Sequence, residues 1–525
     1  MIIINNIKLG IDEDTGKIKE KIKKKLKIKY DDFSYEIYRK SIDARKKNNI
    51  LFVYQVLVDI ELSEKRLLKL KDNDVKIYEE KVFEINPIKK FKKRPIVVGL
   101  GPAGLFCGYM LAKNGYKPII IERGKDVDSR ADDIEYFWET GKLNYESNVQ
   151  FGEGGAGTFS DGKLTSRSNN FRIREVLKTF VENGAPEEIL ILQKPHIGTD
   201  LLREVVKNIR EKIVSYGGKV HFETKLEDIK IENKKVVGIK TSKGDFETED
   251  LFLAIGHSAR DTFKMILDRG IEIGNKAFAV GFRIEHPQIL IDKSQYGESF
   301  ASPKLSAAEY QLTYKSKEGR GVYTFCMCPG GRVISASSFK DELCVNGMSY
   351  HARDLENANS AIIANVSERD YGEELLAGMY FQEGMEKKAY ELGGGKYFAP
   401  VQLIRDYIDE VPSREIGKVK PSYKPGYKLT DLNSIYPKNI NEAIKEAIIN
   451  LDKKLKGFSL EDGVLTGVET RSSSPIRILR DKENYQSINT KGLYPIGEGA
   501  GYAGGIMSSA VDGITAVEKI VGSED

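Results

Sequence analysis

The stretch IVVGLGPAGLF, Ile96 to Phe106, constrains the fold of this chain more than any other. A short apolar run without polar alternation reads as a strand buried on both faces. Gly99, Gly101 and Gly104 then form G-x-G-x-x-G at the start of a helical stretch, LFCGYMLAKNG. The three glycines serve a tight turn, close approach of backbone to a pyrophosphate, and close packing of helix on strand. Pro102 and Ala103 sit in the first helical turn, where free amides and the helix dipole face an anion. PIIIERG is a second buried strand, and Glu122 at its end lies about 20 residues beyond the glycines, where a carboxylate accepts hydrogen bonds from ribose hydroxyls. Arg123, beside it, is a further candidate contact. The pattern specifies a Rossmann-like α/β unit that binds a dinucleotide.

A second glycine-rich helix start lies near the other end, in LYPIGEGAGYAGGIMSSAVDGITAVEKI. A nicotinamide-binding unit does not require one. FAD does, because its ribityl chain and ring extend beyond the pyrophosphate. Gly497 and Glu498 are placed at the ribityl-phosphate region. The amides of Gly504, Gly505 and Ile506 start a helix aimed at the O2/N1 edge of the flavin, where a helix N-terminus stabilises negative charge on the reduced ring. A third stretch, NVQFGEGGAGTFSDGKLTSR (148–167), offers Gly154, Gly155, Thr158 and Lys163 along the pyrophosphate and flavin; for Lys163 a solvated side chain is the other reading. LAIGHSA brings Gly256 to a strand end under the cofactor.

Together GLGPAGL, ERG, FGEGGAGTFSDGKL, LAIGHSA and GLYPIGEGAGYAGGI resemble the uncharacterised bacterial FAD-dependent dehydrogenase family. That family belongs to the glutathione-reductase-like flavoprotein superfamily, with relatives among the aminoacetone-oxidase-like flavoproteins. The resemblance covers nearly the whole chain, implies noncovalent FAD and an oxidoreductase, and carries no agreed substrate. Many superfamily members have Asp where this chain has Glu498.

At 525 residues the chain exceeds one ordinary core. Residues 1–88 read as a small α+β domain of ferredoxin-like type: strand, helix, two strands, helix. INPIKKFKKRP (85–95) reads as a linker. Residues 95–275 and 405–525 are expected to form the FAD-binding α/β domain in two segments, and 276–404 an inserted, β-rich α+β substrate domain. Within it AFAVGFRIEH and GVYTFCMCPGGRVISASS read as strands, with PGGR as a turn, and QLIRDYI follows as a strand. NEAIKEAIINLDKKLKG is helical.

Residues 1–94 carry 25 Lys/Arg against 16 Asp/Glu in a chain of net charge +4. A polyanion partner, nucleic acid included, and the solvated face of KIKEKIKKKLKIKY are the two readings of that excess. No apolar run reaches a membrane span's roughly 18 residues. The N-terminus lacks a secretory pattern, and four cysteines are too few for a disulfide framework. A cytoplasmic protein is expected.

For the chemistry, Cys326 and Cys328 share a face if their strand is regular, and a disulfide between them would be strained and easily reduced. Free cysteine also serves as a small buried hydrophobe. Arg471 and Arg477, with Ser472 to Ser474, are candidates for a carboxylate or phosphate, or solvated loop residues. Arg332 is a further anion candidate, and His196 reads as a turn residue. No metal-ligand spacing occurs. No second strand-G-x-G-x-x-G unit is present, so if NAD(P)H is the reductant it docks transiently in the same pocket as a small-molecule substrate; quinone, oxygen and nicotinamide all remain open as the flavin's partner. Two rivals remain: a flavin-dependent RNA-modifying enzyme gripping phosphates with its basic N-terminal domain, and a non-catalytic flavin redox sensor. The sequence does not set the oligomeric state.

Overall fold

The computed structural model describes residues 1–62, 64–166 and 170–522; Arg167, which ends the third glycine-rich stretch, lies outside them. The first unit comprises β1 (Ile2–Gly10), α1 (Lys17–Leu26), β2 (Ser34–Asp43), β3 (Leu51–Asp59), α2 (Glu64–Leu70) and β4 (Val75–Ile77). Its antiparallel sheet has the order β2-β3-β1-β4, the expected ferredoxin-like arrangement. A bulge between Ile4 and Ile7 keeps Ile2, Ile4, Ile7 and Leu9 on one buried face. Ile18, Ile22 and Leu26, four apart on α1, cover it. The lysines of α1 pair within the unit: Lys21 with Glu13, Lys23 with Asp31, and Lys25 with Asp72 and Asp74.

The second unit opens with β5 (Ile96–Val98), α3 (Pro102–Lys113), β6 (Ile119–Ile121), α4 (Val127–Thr140), α5 (Arg172–Glu182), α6 (Thr199–Ser215) and β7 (Lys219–His221). An antiparallel meander follows, β8 (Leu226–Glu232), β9 (Lys235–Thr241) and β10 (Gly244–Glu247), then β11 (Leu251–Leu253), α7 (Arg260–Asp268) and β12 (Ile273–Asn275).

The inserted unit comprises β13 (Phe278–Pro287), α8 (Gln288–Tyr296), β14 (Thr313–Lys315), β15 (Gly321–Ser335), β16 (Val345–Ser349), β17 (Asn357–Val366), α9 (Glu368–Tyr371) and α10 (Ala377–Leu392). It continues with β18 (Ala399–Leu403), α11 (Ile404–Ile408), β19 (Tyr427–Leu429), α12 (Lys438–Leu451) and β20 (Val464–Glu469). Its eight-stranded sheet runs β14-β15-β17-β13-β20-β18-β19, with β16 on β15. The expected return to the cofactor domain at residue 405 is therefore corrected. β19 and β20 lie in the inserted sheet, and Ile440, Ile444, Ile448 and Leu451 of α12 join its core. Two local expectations also change. Residues 404–408 are helix rather than strand, and PGGR is no turn but part of the long, bulged β15.

The chain then returns through β21 (Ile476–Ile478), β22 (Leu493–Pro495) and α13 (Ile506–Val521). β22 completes a five-stranded parallel sheet, β22-β11-β5-β6-β7, pairing Leu251 with Leu493 and Leu253 with Pro495. The Rossmann-like sheet is thus built from both segments of the cofactor unit, β5, β6, β7 and β11 before the inserted unit and β22 after it. A Cβ at Gly513 would lie 2.3 Å from the Ala103 carbonyl oxygen, so α13 and α3 touch backbone to backbone. That contact brings two helix N-termini side by side. Among the described residues, no helix is long and apolar enough to cross a membrane.

Candidate functional site

The glycines of the β5–α3 turn have three different reasons to be there. Gly99 has φ +94, and a Cβ on it would lie 2.4 Å from the Ala254 carbonyl oxygen. A Cβ on Gly104 would lie 1.9 Å from the Gly99 carbonyl oxygen. Both are demanded by the fold. Gly101 is not: its backbone is extended, and a Cβ there meets only the Gly155 Cα, at 3.8 Å. It faces a cavity of about 1070 Å³, together with Gly99, Pro102 and Ala103. Only an occupant of that cavity requires a glycine at 101.

Glu122 leaves β6 at the same cavity, with one carboxylate oxygen accepting from Leu100 N–H at 2.8 Å. The other accepts from Gly124 and Gly152 N–H, both at 2.9 Å. These bonds lock three loops together. A carboxylate has about four lone-pair sites, so capacity for ribose hydroxyls remains. Arg123 pairs with Glu146 and Asp261 and stacks 3.9 Å over Phe151. Its charge is therefore already matched, and it serves as cavity wall.

In the third glycine stretch Gly155 lines the cavity, whereas Gly154 and Thr158 lie beneath. A Cβ on Gly154 would lie 2.0 Å from Thr158 Oγ1, and the Thr158 carbonyl accepts from Thr199 Oγ1 at 2.6 Å. They shape the loop from behind. Gly256 and Glu498 face the cavity, the latter with Oε1 3.5 Å from His257 Nδ1. Gly497 does not; a Cβ on it would lie 2.6 Å from that of Ala103, and its N–H donates to Asp512. Gly504, Gly505 and Ile506 open α13 onto the cavity, and Cβ atoms on both glycines would meet nothing within 4 Å. Gly505, the N-cap, has φ +109.

Two helix N-termini thus converge on one space, whose far wall is the inserted unit, with Tyr310 before β14, Tyr323, Phe325 and Cys326 on β15, and Glu469 on β20. Its volume reaches the top of the ~300–1,000 Å³ range of drug-sized ligand pockets. Two sources of positive potential, a carboxylate at one end and glycine backbones without side chains between them fit a long dinucleotide such as FAD.

Lys163 lines the cavity but is no solvated lysine, lying 3.1 Å from Asp161 and 2.9 Å from Glu309. Burial pushes the Glu309 carboxyl up, yet Lys163 and Lys194 hold it at about 2, against an ordinary 4.5. A depressed carboxylate stabilises the fold above its unfolded value and loses that contribution as pH falls through its folded one. Wild-type stability should therefore drop between about pH 4.5 and 2 more steeply than that of Glu309→Gln. Equal slopes in acid denaturation would contradict the ion pairing.

The anion candidates are corrected. Arg471 reaches the cavity wall, but Nε and a terminal nitrogen grip Glu386 at 2.8 and 2.6 Å, and its other nitrogen donates to Ser338 at 2.6 Å. Arg260 pairs with the same Glu386 and with Glu342. Burial raises Glu386, but Arg260 and Arg471 hold it at about 2; burial pushes Glu342 up to about 7. Arg477 lies outside the cavity wall, over the Tyr502 ring. Ser472 donates to the Ala279 carbonyl and Ser474 to that of Ile476. Arg332 stacks over Trp138. His196, pushed down to about 4 by burial, stacks on His351.

Cys326 lines the cavity but Cys328 does not, so the pair does not share a face. Sequence reasoning missed Tyr310, Glu469 and the buried Arg283 behind them. For Arg283 the available signal was GFRIEH, charges in the middle of an otherwise apolar strand. Among the described residues, no cluster of three or more His, Cys, Asp or Glu could hold a metal.

Residues 277–472 match the family described as FAD-dependent protein, C-terminal domain-like, and residues 1–59 a domain of unknown function. A Clostridium beijerinckii protein described as uncharacterized is 51% identical over 527 residues, 99% of this chain and 98% of that one. Among solved structures, glycine oxidase from Bacillus cereus is 12% identical, with TM-score 0.33, over 83% of this chain and 98% of that one. L-proline dehydrogenase from P. horikoshii is 14% identical, with TM-score 0.31, over 82% and 93%. Likenesses that slight bear on no activity. The chain belongs to the family of the C. beijerinckii protein, it carries the C-terminal domain of FAD-dependent proteins, and its cofactor is FAD.

Proposed function

We propose that this protein is an FAD-dependent oxidoreductase, a dehydrogenase of the glutathione-reductase-like superfamily, that moves a hydride between a small organic substrate and noncovalently held FAD. One observation carries the reading: α3 and α13, from distant parts of the chain, open their N-termini onto one cavity walled by the inserted sheet. FAD supplies the two-electron chemistry; the protein binds, orients and excludes water. The Gly101 and Ala103 amides take the pyrophosphate, and Glu122 takes the adenosine ribose. The first amides of α13 lie where negative charge develops on reduction. Tyr310, Tyr323 and Phe325 close the substrate side. NAD(P)H, as reductant, would enter that same side transiently.

The division of labour is a small basic unit, a cofactor unit in two segments, and an inserted substrate unit extending through β20. Anaerobic mixing of the yellow protein with NADH, NADPH and pooled metabolites tests the reading. At least one should bleach the flavin, with turnover once an acceptor is added. A flavin that none of them reduces would overturn it.

A further inference from the structure

Two lips border the cofactor cavity where it reaches solvent. Gln193 and Lys194 form one, from the cofactor unit; Glu309 to Gln311 and Thr313 form the other, from the inserted unit. Gln193, Lys194, Gln311 and Thr313 are exposed. Lys194 Nζ lies 2.5 Å from one carboxylate oxygen of Glu309, and Lys163, from the glycine-rich loop, 2.9 Å from the other. These ion pairs span the mouth.

The first unit touches both lips just upstream of the lining residues. On the cofactor side, β2 is an edge strand of its sheet, and its outward backbone forms an isolated bridge between Lys40 and Leu192. Lys40 N–H donates to the Ile191 carbonyl at 2.6 Å, and Gln193 N–H donates to the Lys40 carbonyl at 2.8 Å. The preceding turn, Glu187–Leu190, is anchored by Ile189, fully buried in the cofactor core. A strand edge left open is a template for unwanted pairing, and here the lip takes it up at Lys40.

On the inserted side the two cores interlock. Ile50, at the entry to β3, is buried in the core of the inserted sheet, and Ala44 packs against that core. Leu305, four residues before Glu309, packs against the cores of both units. Lys304 Nζ donates to the Ile11 carbonyl at 3.0 Å, and a Cβ on Gly297, at the end of α8, would lie 3.0 Å from the Lys47 Cβ. The helix α8 in turn holds the lip. Asp292 accepts from Ala308 N–H at 2.7 Å, and Gln295 donates to the Glu309 carbonyl at 3.2 Å.

We propose that the first unit is a clamp on the mouth of the cofactor cavity, holding the Gln193–Lys194 and Glu309–Thr313 lips in place and so setting how readily solutes reach the flavin. The inference rests on the proposed reading that FAD fills this cavity. It gives the domain of unknown function at residues 1–59 a part in the oxidoreductase itself.

The variant Lys40→Pro removes the N–H that binds Ile191. That N–H points away from β3, and proline is tolerated at an outward position of an edge strand, so the β2–β3 ladder stays. Lys40→Ala removes the same charge and keeps the N–H, which makes it the matched control. Hydrogen exchange of the holoprotein reads the lip, and iodide quenching of flavin fluorescence reads access. In wild type and Lys40→Ala the Gln193 amide should be protected and the flavin shielded. In Lys40→Pro that amide should exchange about two- to tenfold faster, the effect of one lost hydrogen bond, and quenching should rise with it. A flavin quenched equally in all three while the amide exchanges faster overturns the clamp and leaves the flavin reading intact. An exchange rate that the proline does not change does the same. If the proline unfolds the first unit, seen as lost protection in β1 and β3, quenching should rise further, and a flavin still shielded there also overturns the clamp. Protein that takes up no FAD overturns both.

Discussion

Gly101→Val should give a folded but colourless protein. The apo fold has room for the side chain's first atom: the backbone is extended, and the nearest neighbour of a Cβ is the Gly155 Cα at 3.8 Å. A pyrophosphate held at this turn, as proposed, would not leave that room. Overpacking costs typically about 1–3 kcal/mol, and more against an unyielding group. At a factor of ten per roughly 1.4 kcal/mol, FAD affinity should fall by about 100-fold or more. Apo melting temperatures of variant and wild type should be close. Gly104→Ala is the counter-experiment, because its Cβ would strike the Gly99 carbonyl at 1.9 Å. That variant should lose stability whether or not flavin is present. Full flavin occupancy in Gly101→Val, measured by absorbance after gel filtration, would displace the phosphate from this turn.

Arg471→Met should destabilise the fold by up to about 3–5 kcal/mol, the cost of leaving a buried charge with no partner at all. Glu386, fully buried on α10, holds two bonds from Arg471 and would keep only Arg260 as a charged partner. The double variant Arg471→Met/Glu386→Gln should lose less than the sum of the two single changes, since the stranded charge is gone. Urea denaturation of the apo proteins reads both. Unchanged stability with lost substrate affinity would return Arg471 to the anion-holding role that its sequence neighbours Ser472 to Ser474 suggested.

That arginine marks where the sequence stops being informative. ETRSSS shows a guanidinium near a strand end but not that α10, far upstream, presents a carboxylate to it. The parallel sheet was legible because IVV, III and LYP are short, wholly apolar runs joined to glycines with specific duties. The extent of the inserted sheet was not. β20 is as buried as β5, β11 and β22, and its pairing with β13 is a long-range contact that no local pattern encodes. PGGR reads as a turn by composition, yet a Cβ on Gly330 would lie 1.8 Å from the Arg353 carbonyl oxygen. Its glycine answers the close approach of the segment at Arg353 rather than a reversal. In the cofactor unit, Gly101, Gly155, Gly504 and Gly505 did meet at one cavity. Gly104, Gly154, Thr158 and Gly497 instead build the walls from behind.

The central claim, one FAD held jointly by the start of α3 and the start of α13, is tested most directly by a crystal structure of the protein with FAD bound. The account expects the pyrophosphate within hydrogen-bonding distance of the Gly101 and Ala103 amides and the isoalloxazine against Gly504 to Ile506. A flavin touching only one of the two helices, or bound outside the cavity they share, would contradict it.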